Sequence, residues 1–199
     1  MIDINQLKNT YFGIRHGQSH ANVHGIIVAG EIARSEYGLT DLGKQQVRKG
    51  VEELKENGIL NDHTIIVTSP LMRAKQTAEV AAEVLEVPQE HVIVDERLRE
   101  RHFGVFEGKA HDAYKDVIWP ADLAGTGSEH GVETTDIVLE RLLELIEDLE
   151  QKYTNMNILL VSHGDTLQIL ETAFKNISSR EHRSLVHLQN AEIRQYNTK

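Results

Sequence analysis

The chain has 199 residues, 40% hydrophobic and 26% charged, the balance of a soluble globular protein rather than a disordered or membrane-spanning one, and its length suits a single domain over 1–199. A formal net charge of −10 disfavours nucleic acid or an anionic membrane as partner, and the absence of cysteine removes disulfides, a cysteine nucleophile and thiolate metal sites. No apolar run approaches the roughly eighteen residues of a membrane helix and Met1 to Asn9 lacks a secretory pattern, so a cytoplasmic protein is expected.

Tyr11 to Arg15 is short, partly aromatic and followed by His16-Gly17, and reads as a strand running into a loop. Periodicity fails from Gly25 to Gly38, a surface excursion; Thr40 then opens a helix that should stop near Asn57-Gly58. Thr64 to Thr68 is a β-branched run closed by Ser69-Pro70, and Leu71 to Leu85 is alanine-rich and helical in composition. His91 to Val94 reads as a third strand and the charged stretch Arg97 to Gly108 as a loop. Lys109 to Trp119 reads as a short helix ended by Pro120, and Ala121 to Gly131 as a flexible connection. Thr134 or Thr135 caps a long helix whose Val138, Leu142, Leu145 and Leu149 fall at helical spacing.

Ile158 to Val161 is a continuous apolar run, as in a strand covered on both faces; His163-Gly164 ends it and Asp165 to Phe174 follows as a helix. Ser184 to Leu188 and Ala191 to Tyr196 read as an antiparallel hairpin around Gln189-Asn190. Strands alternating with helices predict an α/β protein, a three-layer α/β/α sandwich with a mostly parallel central sheet.

Ligands of such sheets sit outside the carboxyl ends of the strands, where this chain places Arg15-His16, then Ser69 to Arg73, then His163. Two histidines and two arginines converging there suit a phosphoryl group with charge on three oxygens. A neutral imidazole nitrogen of His16 can attack phosphorus, provided an acceptor on its other nitrogen fixes the tautomer. Arginine forks hold the nonbridging oxygens, and a protonated His163 would add a donor. The departing alkoxide then needs a proton.

Arg15-His16-Gly17-Gln18-Ser19-His20-Ala21-Asn22 resembles the arginine-histidine-glycine signature of the histidine phosphatase superfamily, which includes the cofactor-dependent phosphoglycerate mutases. Ser69-Pro70-Leu71-Met72-Arg73-Ala74, Glu100-Arg101-His102-Phe103-Gly104 and Ser162-His163-Gly164 resemble its other blocks, in the family's order. The resemblance implies His16 as the residue transiently phosphorylated, Arg15, Arg73 and His163 as the phosphate pocket, and Glu100 as proton donor, with no metal or cofactor. It makes Gly17, Gln18, Ser19, Asn22, Arg101 and Gly164 substrate-binding neighbours. Glu100 would protonate the leaving oxygen and then deprotonate water, which needs a pKa raised toward neutrality.

The expected activity is hydrolysis of phosphorylated small molecules. Beyond Phe103-Gly104 the likeness to the mutase pattern loosens, and residues 109–132 contain only Lys109 and Lys115 as permanent cations, so a phosphatase is favoured over a mutase. A non-catalytic phospho-ligand binding module is a further alternative. A metal-dependent hydrolase using His16, His20 and His24, spaced four residues apart as on one side of a helix, is another, weakened by Gly17 and Gly25. Residues 25–38 and 102–132 are expected to select the substrate.

Overall fold

The computed structural model describes residues 2–198. Its strands are β1 (Thr10–Arg15), β2 (Ile65–Thr68), β3 (Ile93–Val94), β4 (Asn157–Ser162) and β5 (Ile193–Gln195). They form one sheet in the order β3-β2-β4-β1-β5, parallel except for β5, which runs antiparallel to β1 at the edge. The helices are α1 (His20–His24), α2 (Asp41–Glu56), α3 (Met72–Leu85), α4 (Lys115–Ala124), α5 (Thr135–Lys152) and α6 (Gly164–Phe174).

Alternation along the strands decides what each layer covers, because successive side chains leave a strand on opposite faces. Phe12, Ile14, Ile66, Leu159 and Val161 face Val47 and Val51 of α2 and the small side chains Ala74, Ala78, Ala81 and Ala82 of α3. Tyr11, Val67, Ile158 and Leu160 face Val138, Leu142, Leu145 and Ile146 of α5 and Ile169 and Leu170 of α6. The result is the expected three-layer sandwich. Each fully buried aliphatic side chain contributes about 1.5–3 kcal/mol from leaving water. Among the described residues no helix is long and apolar enough to cross a membrane.

Helix starts follow the chain's own caps. Thr40 Oγ1 accepts from Gly43 N at 3.0 Å ahead of α2, and Thr134 Oγ1 accepts from Ile137 N at 3.3 Å ahead of α5. The first block itself ends in a short helix, α1, capped by Ser19 and Asn22 reciprocally, and the excursion that follows holds a 3-10 turn at Glu31–Arg34.

Two expectations fail in the second half of the chain. Lys109 to Trp119 is not a helix ended by Pro120: α4 begins at Lys115, runs through Pro120 and stops at Gly125. Proline removes one hydrogen bond, but the helix before it buries Ile118 with Phe103, Phe106 and Tyr114, and its continuation past the proline brings Asp122 to Arg101. The stretch read as a flexible connection therefore opens with the last four residues of α4, Ala121 to Ala124, and continues into a 3-10 turn at Gly127–His130.

Ser184 to Leu188 forms no strand, and β5 pairs with β1 instead of with it. The carbonyls of that segment are taken by side chains: Gln168 donates to Leu185 O, Arg194 to Val186 O and Arg15 to Leu188 O. Those acceptors serve side chains rather than a ladder.

Candidate active site

The carboxyl ends of β1, β2 and β4 open into one cavity lined by Arg15, His16, Ser19, Asn22, Arg73, Glu100 and Gly164, with Ile26 to Ala29, Phe103, Tyr114, Asp165 and His187 around its rim. The β1 ladder continues one residue further, His16 N donating to Ser162 O at 3.0 Å, so His16 is held on the sheet rather than on a free loop. The following residues lie flat on the start of α2, where only glycine fits: a Cβ on Gly43 would collide with Gln18 O, and one on Gly17 with Gly43 O. Gln18 is tied there, its N donating to Gln46 Oε1 at 3.0 Å and its Oε1 accepting from Thr40 Oγ1 at 2.9 Å.

His16 is 3% exposed. Its Nδ1 lies 2.8 Å from Gly17 O, and because a carbonyl only accepts, Nδ1 carries the hydrogen and Nε2 the lone pair. Arg73 Nε donates to that Nε2 at 3.0 Å. Burial first, then the Arg73 and Arg15 charges, push the His16 pKa well below the usual imidazole value, so the ring is neutral at ordinary pH.

His163 stacks edge-on to His16 with ring centroids 5.2 Å apart, and its Nε2 lies 2.7 Å from Ser69 Oγ. Ser69 Oγ accepts from Leu71 N at 3.3 Å and has its own hydrogen to give to His163 Nε2, an arrangement in which the ring hydrogen sits on Nδ1. Burial, then Arg73 and His16, lower the His163 pKa well below 6.5. The donor is thus a neutral ring, not the protonated one considered from sequence. Arg15 Nε, Arg73 Nη1 and His163 Nδ1 are buried and, among the described residues, without a hydrogen-bond partner. Three donors that cost free energy to bury unpaired, gathered around a nucleophilic nitrogen, are a preformed anion site.

Glu100 is the carboxyl that lines the same cavity. Its Oε1 accepts from Arg101 N at 2.9 Å, Thr166 N at 3.2 Å and Thr166 Oγ1 at 3.0 Å, which leaves Oε2 outside these bonds. Burial, reinforced by the Asp165 charge, raises its pKa, against the smaller pull of the Arg101 N hydrogen bond, the Arg73 charge and the Thr166 hydroxyl. Asp165 goes the other way: although burial opposes it, Arg183 at 2.5 Å and Arg101 at 3.6 Å hold it below the ordinary carboxylate range.

The structure brings together Arg15, His16, Ser19, Asn22, Arg73, Glu100 and Gly164 at the cavity, with His163 edge-on against His16. Asn22 Oδ1 accepts from Ser19 N and Asn190 Nδ2, so its amide nitrogen is the end left for a ligand. Three expected substrate-binding residues are placed otherwise. Gly17 contributes its carbonyl to His16, and Gln18 anchors the loop to α2. Arg101 is 0% exposed and does not reach the cavity: it forks onto Asp122 at 2.5 and 2.7 Å and donates to Glu133 O at 2.6 Å. Arg101→Leu strands Asp122 and weakens the hold on Asp165, so an expected loss of about 3–5 kcal/mol should appear as a lower urea midpoint.

His16, His20 and His24 do not share a helix face, since α1 begins only at His20 and His16 belongs to the strand end. Tyr114, Asp165 and His187 were missed. Asp165 directly follows the Ser162-His163-Gly164 block and carried a signal; Tyr114 and His187 stand in segments with no motif.

A buried neutral histidine with its lone pair held among arginine donors, beside a carboxyl of raised pKa, defines an enzyme that moves phosphoryl groups through histidine. A sequence model of the histidine phosphatase superfamily (branch 1) matches residues 12–199, and the chain belongs to that family. It is 31% identical over 194 residues to the putative phosphoserine phosphatase 2 of Hydrogenobacter thermophilus, covering 94% of this chain and 88% of the relative. It is 29% identical to a 2,3-bisphosphoglycerate-dependent phosphoglycerate mutase of Corynebacterium efficiens, covering 83% and 76%. The solved mycobacterial glucosyl-3-phosphoglycerate phosphatase in complex with VO3 superposes with a TM-score of 0.77 at 26% identity, covering 94% of this chain and 90% of the other.

Proposed function

We propose that the protein hydrolyses phosphomonoesters of small molecules through a phosphohistidine on His16. The observation that carries this is the bond from His16 Nδ1 to Gly17 O at 2.8 Å, which presents the Nε2 lone pair inside the cluster of unpartnered arginine and histidine donors. In the first step Nε2 attacks phosphorus, the phosphorus–oxygen bond to the leaving group breaks, and that oxygen takes a proton from Glu100. Arg73 Nε, which occupies the lone pair beforehand, is handed over to a phosphoryl oxygen as the new bond forms. In the second step the Glu100 carboxylate takes a proton from water, the water oxygen attacks phosphorus, and the bond to Nε2 breaks to release inorganic phosphate.

Names of relatives support two reaction outcomes, phosphatase and mutase. Hydrolysis is favoured because the two lysines of residues 109–132 are already engaged: Lys109 lies 5.4 Å over the Phe106 ring and Lys115 pairs with Asp112. Neither stands ready to hold a second acidic group of a substrate that must be turned over without release. Phosphorylated hydroxy acids and amino acids, such as phosphoserine, phosphoglycerate and its glucosyl derivative, are the first substrates to assay. Incubation with a panel of such esters should release inorganic phosphate and give an acid-labile, alkali-stable phosphoenzyme on rapid quench. Phosphate moving between two positions of a phosphoglycerate with little free phosphate would establish the mutase instead.

A further inference from the structure

We propose that His187 is a positioning residue, one that turns the Arg15 guanidinium so that its Nε and Nη2 edge faces the phosphoryl group. The proposal deepens the phosphatase reading and rests on Arg15 being a phosphate ligand.

The orientation follows from a chain of hydrogen bonds whose polarity is fixed at its far end. Gln168 Nε2 donates to Leu185 O at 2.8 Å, and a carbonyl cannot accept from an amide oxygen, so the amide is oriented. Its Oε1 therefore points toward His187 Nδ1 at 3.4 Å and Arg183 Nη1 at 3.3 Å. The His187 hydrogen accordingly sits on Nδ1 and the lone pair on Nε2, which accepts from Arg15 Nη1 at 3.2 Å. Arg15 Nη1 also donates to Leu188 O at 2.8 Å, so both hydrogens of that nitrogen are used.

Nη1 stands on the Cδ side of the guanidinium. What remains is the opposite edge, where the Nε and Nη2 hydrogens run parallel and match two oxygens of one phosphoryl group. Arg15 Nε is buried with no partner among the described residues.

Imidazole suits this place better than the obvious alternatives. A carboxylate at 187 would compete for the guanidinium as a bidentate partner and neutralise it, and an ammonium would repel it. A neutral ring takes one hydrogen and leaves the charge free for substrate. Burial, with the Arg15 charge adding to it, lowers the His187 pKa to about 4, so the ring keeps its lone pair at neutral pH. Gly164 is shaped to the same ring: a Cβ there would lie 2.7 Å from His187 Cε1 and 3.0 Å from Nε2.

The test is a double-mutant cycle on the full chain, read as kcat/KM on an aryl phosphate and as the inhibition constant of orthovanadate. His187→Leu should lower kcat/KM and weaken vanadate by the same factor, on the order of tenfold. His187→Gln, whose amide oxygen can accept from Arg15 Nη1, should restore most of the loss. In an Arg15→Lys background, where no fork exists to orient, His187→Leu should change either quantity by less than about twofold. Equal losses in the two backgrounds, or full activity of His187→Leu alone, would overturn the proposal. So would a glutamine variant as impaired as the leucine one while its thermal midpoint matches wild type. Loss of the acid-labile phosphoenzyme in wild type would instead strike the phosphatase reading, leaving the vanadate coupling between residues 15 and 187 to be read by itself.

Discussion

His16→Ala is expected to lower kcat by about 10⁴ to 10⁶, the scale seen when a covalent nucleophile is removed and the rest of the site stays. The substitution deletes the nitrogen that bonds to phosphorus and also the partner of Arg73 Nε, so the cation cluster is left with one more unpaired donor. Inorganic phosphate should consequently bind the variant within about threefold of wild type by calorimetry, which separates lost chemistry from a lost pocket. A residual rate above a hundredth of wild type, or a phosphoenzyme still trapped on quench, would remove His16 from the reaction.

The same residue has a signature in stability. The buried His16 and His163 rings refuse protons that they accept once unfolded, so the unfolded state binds more protons as pH falls through about 6.5 and the fold loses stability there. His16→Ala removes one of those two groups, and its urea midpoint should fall less steeply than that of wild type between neutral pH and mildly acidic pH.

What could be read from the chain and what could not divide along the range of the interactions involved. Arg15, His16 and His163 were legible because a polar residue closing an apolar run marks a strand end, and the sheet then brings such ends together. Arg73 and Glu100 were legible by their blocks, although Glu100 alone, in a stretch with Glu96, Arg97 and Arg99, resembles an ordinary surface charge. Arg101 was misplaced for the converse reason. Its neighbour in sequence, Glu100, lines the cavity, but its own side chain answers to Asp122, twenty-one residues on, in a segment whose glycines suggest a flexible connection. The helix that carries Asp122 runs through Pro120, and beyond the proline Asp122 gains Arg101 as a partner in the folded chain, which local propensity does not record. His187 was hidden in a β-branched and apolar stretch that reads as a strand, where the backbone acceptors are instead spent on Gln168, Arg194 and Arg15.

Glu100→Gln should separate the two halves of the reaction and, at the same time, make the fold more stable at high pH. Glutamine keeps an oxygen for Arg101 N, Thr166 N and Thr166 Oγ1, so the side chain stays in place while the transferable proton is lost. For an alkyl phosphate, whose leaving oxygen must be protonated, kcat/KM should fall by about 10² to 10⁴. For an aryl phosphate that departs as a stable anion the first step needs no acid, and the variant should give a burst of phenol followed by slow release, with phosphoenzyme accumulating. In wild type the neutral His16 leaves the acid limb of the pH profile to the substrate, whose second ionisation lies at about 6, and the basic limb to loss of the Glu100 proton. Because burial and Asp165 raise the Glu100 pKa in the fold, deprotonation is penalised there: its contribution to stability is whole below the unfolded value and declines as pH rises through the folded one. The glutamine variant escapes that decline, so its thermal midpoint should exceed wild type at alkaline pH and converge with it in acid. An unchanged alkyl phosphate rate would show that Glu100 does not move the proton, and a midpoint that follows wild type at every pH would show that it does not resist losing it.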